Sequence, residues 1–180
     1  MRPVSLTVPL AIALLCQTSC SPSREEQLPS HVYQMGERVS LGHLIYMVFE
    51  RQWLTQIGEG LDARVPQNRF YLVRLSALNN GGSAAFLPTV SLLDDSGTAY
   101  SEIDNGDGVQ EFIGPLHELA PAETVQGNLV FDVPPKHFKL KLSDEDGKQI
   151  GLVEIPLSFD ADSPDVTAPL IDHAGDLTKK

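Results

Sequence analysis

The densest group of residues that could do chemistry is an acidic segment in the middle of the chain, Glu-Ile-Asp-Asn-Gly-Asp-Gly at residues 102–108. Carboxylate and carbonyl oxygens on a flexible loop are the ligands that Ca²⁺ prefers. Glu102, Asp104, Asp107 and Glu111 are therefore the candidate Ca²⁺ ligands. The spacing lacks the bidentate Glu at position twelve of the helix-loop-helix calcium loop. We expect an acidic turn exposed to solvent here, with the Ca²⁺ site as the alternative interpretation.

Two further segments begin like catalytic motifs and do not complete them. Gly-Gly-Ser-Ala-Ala at residues 81–85 lacks the final Gly of a nucleophile elbow, and it follows a strand at a predicted hairpin. His117-Glu118 starts like a zinc-protease helix, but the second His is missing and Pro121 cannot lie inside that helix. The histidines form no pair at metal-ligand spacing: His31, His43, His117, His137 and His173. The sequence predicts that the protein is not an enzyme, and it predicts no cofactor.

Aromatic residues concentrate in the first half of the chain: Tyr46, Phe49, Trp53, Phe70 and Tyr71. On a binding surface such residues supply flat contact area at low entropic cost. On the strands of a sandwich they are more often core. We expect core positions for them, with Trp53 the exception because it stands at a predicted strand end.

The clearest structural pattern lies between Leu119 and Pro134. Val125, Gly127, Leu129, Phe131 and Val133 recur at every second position, which predicts a half-buried strand. Pro121 indicates a turn before the strand, and Pro134 with Pro135 ends it because proline donates no ladder hydrogen bond.

Similar short alternating runs fill the rest of the middle of the chain. The predicted strands are 38–41, 44–53, 70–78, 86–93, 98–101, 138–142 and 150–159, with a possible helical turn at Leu61 and a hairpin at 79–82. Pro156 suggests an edge position for the last strand. This pattern predicts an all-β, two-sheet antiparallel sandwich over residues 32–160.

The N-terminus has the order of a secretory signal: Arg2, a short apolar run and a small-residue exit at residues 1–19. The segment that ends at Cys20 resembles the lipobox of bacterial lipoproteins, which implies an acylated Cys20 and, because Ser21 follows, an outer-membrane destination. A secretory signal without lipid is the alternative. Residues 20–31 are predicted to be a polar tether and 161–180 a flexible tail.

Charge and cysteine content limit the possible partners. The formal net charge is −11, and such a surface repels nucleic acid and anionic headgroups. Cys16 and Cys20 are the two cysteines, so the predicted sandwich contains no thiol and no disulfide.

Four segments resemble, in order, a bacterial immunoglobulin-like domain of unknown function found in lipoproteins and secreted proteins, similar in fold to secreted immunoprotective antigens. They are an opening Gly-x-x-Val…Tyr block at 35–46, a strand with an Asn-Gly turn at 69–81, an Asp-x-x-Gly-x-x-Tyr hairpin at 92–100, and a Leu-x-Pro-x-Glu…Gly strand at 119–134. Ala122 stands where that family has Gly. The resemblance implies an immunoglobulin-like sandwich outside the cytoplasm and carries no catalytic residues.

These observations predict a non-catalytic extracytoplasmic lipoprotein with an interaction module. Its expected partners are the membrane, through the acyl anchor, and another envelope or extracellular protein. A small-ligand or Ca²⁺-binding envelope protein is the alternative.

Overall fold

The computed structural model describes residues 31–157. The predicted signal peptide at 1–19 with the lipid site Cys20, the tether except its last residue, and the tail at 161–180 lie outside the described residues. The described part contains one 3₁₀ turn, Gly60–Asp62, and eleven strands: β1 Val32–Gln34, β2 Arg38–Leu41, β3 Leu44–Leu54, β4 Arg69–Asn79, β5 Ala85–Phe86, β6 Ser91–Asp94, β7 Ala99–Ser101, β8 Glu118–Leu119, β9 Thr124–Val133, β10 Phe138–Ser143 and β11 Ile150–Ile155.

The strands form two main sheets that enclose the core. One sheet has the order β1-β11-β10-β6-β7 and the other the order β2-β3-β4-β9, while β5 and β8 pair separately. All strand pairs are antiparallel except β1 with β11, which is parallel with Val32 opposite Leu152. The predicted all-β sandwich is confirmed. The parallel strand β1 was not predicted, because three residues are too few to show a period.

The alternation of apolar residues along β9, which the sequence showed, matches the burial of their side chains in the structure. Gly127, Leu129, Phe131 and Val133 are buried on the face toward the second sheet. Val130 points to the opposite face and is also fully buried, in a smaller second cluster. β9 is therefore covered on both faces around its middle.

The aromatic residues are mostly core, as expected, and Trp53 is not the exception. Trp53 is 4% exposed and stacks on Tyr71 with ring centroids 4.1 Å apart, because β3 continues past it to Leu54 and the register places it opposite Tyr71. The prediction for Trp53 was wrong. Phe49 is the exposed ring of the group, at 38%, because a bulge between Val48 and Glu50 leaves it on the outer face of the sheet.

The segment 79–82 is a corner between sheets, so the predicted hairpin is wrong. β4 pairs with β3 and β9, whereas β5 pairs with β8. Asn79 is fully buried, and its Nδ2 donates to the carbonyls of Ser83 (2.8 Å) and Leu119 (3.0 Å) while its Oδ1 accepts from Gly81 N (2.9 Å). These side-chain bonds turn the chain away from the strand.

Two strand predictions also need correction. The predicted strand 86–93 divides into β5 and β6, and Leu87 is buried while Phe86 is 54% exposed, because Pro88 breaks the alternation. β11 ends at Ile155 and lies between β1 and β10, so Pro156 follows the strand and does not indicate a sheet edge.

The two acidic turns connect neighbouring strands as hairpins. In the turn between β6 and β7, Asp94 accepts hydrogen bonds from Ser96 Oγ (2.6 Å) and from the backbone N of Thr98 (2.9 Å), and it pairs with Lys136 Nζ at 3.1 Å. The Ser96 hydrogen bond is the main cause that holds the pKa of Asp94 well below its usual range. Asp144 holds the β10–β11 turn in the same way, accepting from the backbone N of Lys148 at 2.6 Å.

Candidate binding groove

A long connection covers part of the outer face of the four-stranded sheet. We call residues 102–113 the covering loop. Ile103 N donates to Val130 O (2.7 Å), Asn128 N donates to Glu111 O (2.8 Å), and Ile113 N donates to Asn128 O (3.0 Å). These bonds use the edge of β9 and fix the covering loop along it.

Apolar packing holds the covering loop against the sheet. Ile57, Phe70 and Val130 form the buried centre of the second cluster, and the partly buried side chains around it are Leu54, Leu72, Ile103, Val109 and Phe112. The covering loop is thus packed on the outer face of the sheet through Ile103, Val109 and Phe112.

The connection between β3 and β4, residues 55–68, forms the second wall. Ile57 and Arg64 exchange backbone hydrogen bonds of 3.0 and 2.8 Å. Arg64 Nη1 donates to the carbonyls of Asn105 (3.0 Å) and Asp107 (2.8 Å), and its guanidinium lies over the Phe70 ring at 5.5 Å. Arg64 therefore joins the two loops to each other.

Between these walls lies a groove of about 580 Å³. Its floor is formed by β3, β4 and β9, and its walls by residues 56–59 and 108–110. The polar side chains that line it are Glu50, Arg51, Gln52, Gln56, Glu59, Arg74, Gln110 and Asn128. A volume of this size is within the range of sites for small ligands.

Arg74 is the central charge at the groove. Its guanidinium bonds Glu111 of the covering loop, lies 3.9 Å from Glu50, and lies over the Phe49 ring at 5.9 Å. A guanidinium held between two carboxylates is oriented by its neighbours and carries little uncompensated charge. The groove is polar and close to electrically balanced.

The structure does not bring the four candidate Ca²⁺ ligands together. Glu102 turns toward the sandwich interior, where Val90 N donates to its Oε1 at 3.0 Å, and Glu111 pairs with Arg74. Asp104 and Asp107 are exposed on the covering loop. Within residues 31–157 no three His, Cys, Asp or Glu side chains are placed to hold a metal ion.

The Glu102 carboxyl lies in a mainly apolar environment inside the sandwich. It lines a small internal cavity of about 10 Å³ with Tyr46, Leu87 and Ile113. Burial raises the pKa of Glu102 to about 7, and the hydrogen bond from Val90 opposes that rise. The sequence grouped Glu102 with the other acidic residues of the loop, because nothing local shows which way a loop side chain turns.

The two incomplete catalytic motifs form backbone connections. The carbonyl of Ser83 accepts from Asn79, and the carbonyl of His117 accepts from Leu87 N at 2.8 Å. Ser83 lies between two strands and not at the start of a helix, as the sequence indicated. His117 directly precedes the short strand β8.

Two histidines form carboxylate pairs that the sequence did not reveal. His43 Nδ1 lies 2.5 Å from Glu145 Oε1, which joins the β2–β3 turn to the β10–β11 turn of the other sheet. His137 lies between Asp95 (2.9 Å) and Glu154 (2.5 Å), and the hydrogen bond to Asp95 is the main cause that raises the pKa of His137. All three pairs join residues far apart in sequence, so no local motif could predict them.

The fold and the groove define the class of protein: a two-sheet β-sandwich domain with a ligand-sized groove on the outer face of one sheet. The chain belongs to the family described as a domain of unknown function, DUF4352, whose pattern matches residues 33–149. This match confirms the domain of unknown function that the four motifs predicted, while the lipoprotein character stays a prediction. None of the curated proteins matches the sequence.

Solved structures of several bacterial proteins are similar in fold to this chain. The yjhA protein from Bacillus subtilis superposes with a TM-score of 0.55 at 16% identity, over 69% of this chain and 100% of that one. MPT63, a secreted protein from Mycobacterium tuberculosis, has a TM-score of 0.52 at 14% identity, over 71% and 100%. An uncharacterized β-sandwich protein from Clostridium difficile 630 has a TM-score of 0.49 at 14% identity, over 76% and 100%. The superpositions on yjhA and MPT63 show a shared fold and, at these identities, nothing beyond it.

Proposed function

We propose that this protein is a non-catalytic lipoprotein outside the cytoplasm, whose sandwich binds another envelope component or an extracellular protein. The groove on the β3-β4-β9 face carries the proposal. Its floor is regular sheet, and its walls are two loops joined by Arg64 and by the second apolar cluster. Loops fixed on a rigid scaffold are the usual place for binding residues.

The proposed attachment is through Cys20. The leader pattern at residues 1–19 supports export, and a cysteine at its end supports acylation. Several acyl chains on one residue would hold the protein firmly on a membrane, where one chain would not. Ser21 supports the outer membrane as its destination, with release as a secreted protein the alternative. No helix within residues 31–157 is long and apolar enough to cross a membrane.

The arrangement of charged groups supports binding in preference to catalysis. A general acid or base needs a perturbed pKa and access to substrate. Glu102 has the raised pKa, but its cavity is lined by Leu75 and Leu129 from the inner face of the sheet, opposite the groove. Arg74, which faces the groove, is already paired with Glu111.

Site-directed photo-crosslinking in the native bacterium tests the groove as the binding surface. A photoreactive amino acid at Gln56 or Gln110, on opposite walls, should form an adduct with a partner. The same amino acid at the exposed Ser101 on β7, in the other sheet, is the matched control and should form none. Adducts from Ser101 alone would contradict the proposal.

Intact-mass measurement of the mature protein from its native membrane tests the anchor. We expect an N-terminal Cys20 that carries acyl chains, and a Cys20→Ala variant that is not retained in the membrane. A mature protein without lipid would contradict the lipoprotein proposal and leave the groove proposal standing.

A further inference from the structure

We infer that the groove binds a neutral, hydroxyl-rich ligand, namely an oligosaccharide. This inference rests on the proposed function, because it names the ligand class of the same groove. Its basis is the combination of balanced charge, several carboxamide side chains and one exposed aromatic ring at the margin.

The charges at the groove argue against an ionic ligand. Two guanidinium groups and two carboxylates line it, those of Arg51, Arg74, Glu50 and Glu59. Arg74 pairs with Glu111, and Arg51 Nε donates to the carbonyl of Pro156 at 3.0 Å. Phosphate and carboxylate recognition depends on guanidinium or ammonium groups directed at the ligand. The net charge of −11 further disfavours an anion, and the guanidinium groups of Arg51 and Arg74 in the lining disfavour a cation, so a neutral ligand fits best.

The remaining polar lining suits hydroxyl groups. Gln52, Gln56, Gln110 and Asn128 each carry a carbonyl acceptor and an amide donor. A sugar hydroxyl is itself a donor and an acceptor, so adjacent hydroxyls can pair with both ends of one carboxamide. The Asn128 amide is already oriented, because its Nδ2 donates to Gln110 O at 2.8 Å. An apolar ligand would remove water from the carboxamides of Gln52 and Gln110 without replacing its hydrogen bonds, which costs affinity.

Phe49 supplies an apolar surface beside the polar lining. The bulge places its ring on the outer face next to Arg74, with the guanidinium 5.9 Å from the ring centroid. The ring is 38% exposed. The C–H face of a pyranose is apolar and flat, so it can pack on such a ring while its hydroxyls reach the carboxamides.

A peptide fits this groove less well. Binding of an amphipathic helix needs an apolar groove, and polyproline recognition needs an aromatic-lined one. Strand addition needs an open sheet edge. The groove lies on the face of the sheet, and beside it Asn128 and Val130 of the β9 edge already bond the covering loop.

The test uses the full chain in a detergent that contains no sugar. It is screened on an array of neutral oligosaccharides built from glucose, galactose, mannose and N-acetylglucosamine, with acidic oligosaccharides and peptides as parallel arms. The strongest neutral oligosaccharide is then titrated by calorimetry. Gln52→Ala and Gln110→Ala should each weaken its affinity by about 5- to 10-fold, the effect of one lost hydrogen bond. Gln126→Ala is the matched control, because Gln126 is exposed on β9 and does not line the groove, and its affinity should change less than about 2-fold.

The outcomes separate this inference from the proposed function. Absence of neutral saccharide binding, binding to peptides or acidic sugars alone, or equal loss in the Gln126 variant would each overturn the saccharide inference. If Gln56 and Gln110 still crosslink to a partner in those cases, the groove remains a binding surface for another ligand class. If neither position crosslinks and no saccharide binds, both proposals fail.

Discussion

Replacement of Gly127 by Ala should detach the covering loop from the sheet. Gly127 lies on β9 at the point where the loop passes the strand. A Cβ atom built there would be 2.0 Å from the Glu111 carbonyl O and 2.9 Å from Ile113 Cγ1. Both neighbours must withdraw, by roughly 1 Å or more, to restore normal van der Waals separation.

The expected loss of stability follows from the contacts that the covering loop makes with β9 beside Gly127. Withdrawal breaks or weakens the hydrogen bonds from Asn128 N to Glu111 O (2.8 Å) and from Ile113 N to Asn128 O (3.0 Å). Each such bond contributes about 0.5–1.5 kcal/mol net. Partial exposure of the apolar cluster around Val130 adds about 1 kcal/mol. We expect the free energy of unfolding to fall by about 2–4 kcal/mol.

Urea unfolding of the full chain measures this change, with Gly82→Ala as the control. A Cβ at Gly82 meets no atom within 4 Å, and its backbone is not left-handed, so this variant should differ from wild type by less than about 0.5 kcal/mol. Amide hydrogen exchange should also show faster exchange at Asn128 and Ile113 in the Gly127 variant. If the Gly127 variant has wild-type stability and wild-type protection at those amides, Gly127 is not needed for the covering loop to pack on β9.

Four other perturbations have defined outcomes. Ala122→Gly should raise the free energy of unfolding by about 0.5–1 kcal/mol in urea, because Ala122 has a φ of 62° that favours glycine. Glu102→Gln should make the free energy of unfolding less dependent on pH between pH 4.5 and about 7. In the wild type the raised pKa of Glu102 makes the free energy of unfolding fall as the pH rises through this range. His137→Gln should be less stable than wild type below pH 6.5 and equally stable at high pH. The hydrogen bond to Asp95 raises the pKa of His137, so the stabilisation by the protonated imidazole is lost as the pH rises through the raised pKa. Urea unfolding midpoints measured across this pH range test both the Glu102 and the His137 variants. Millimolar Ca²⁺ should leave the thermal midpoint unchanged, since the candidate acidic side chains are dispersed.

The limits of a strand could be predicted from the sequence where one face of the strand is buried and the other is exposed. β2, β3, β4 and β9 lie within a residue or two of their predicted limits, apart from the N-terminal end of β9. Their inward residues recur at every second position, which is a local signal. The signal failed at Trp53 and at Phe86, because burial there depends on the neighbouring strand and on Pro88.

The groove could not be predicted in the same way. Its lining comes from three strands and two loops that are far apart in sequence, so no single segment carries the pattern. The acidic composition of residues 102–111 suggested a solvated or metal-binding loop. Val109 and Phe112 decided its position, because their burial against the sheet outweighs the preference of the carboxylates for water. The carboxylates then point in different directions from a fixed backbone.

Several positions in the segments that resemble the family hold the backbone and do not line the groove, whereas Leu72, Arg74 and Asn128 from the same segments do line it. Asn79 turns the chain between sheets, Asp94 and Tyr100 close a hairpin with the hydroxyl 3.3 Å from the carboxylate, and Gly127 admits the covering loop. Groove residues such as Gln56 and Gln110 belong to the connecting loops. Because these loop residues are separate from the residues that form the turns, they can change without cost to the sandwich. Substitutions at such loop positions can therefore alter the groove of this chain and leave its sandwich intact, so the fold alone does not define the ligand.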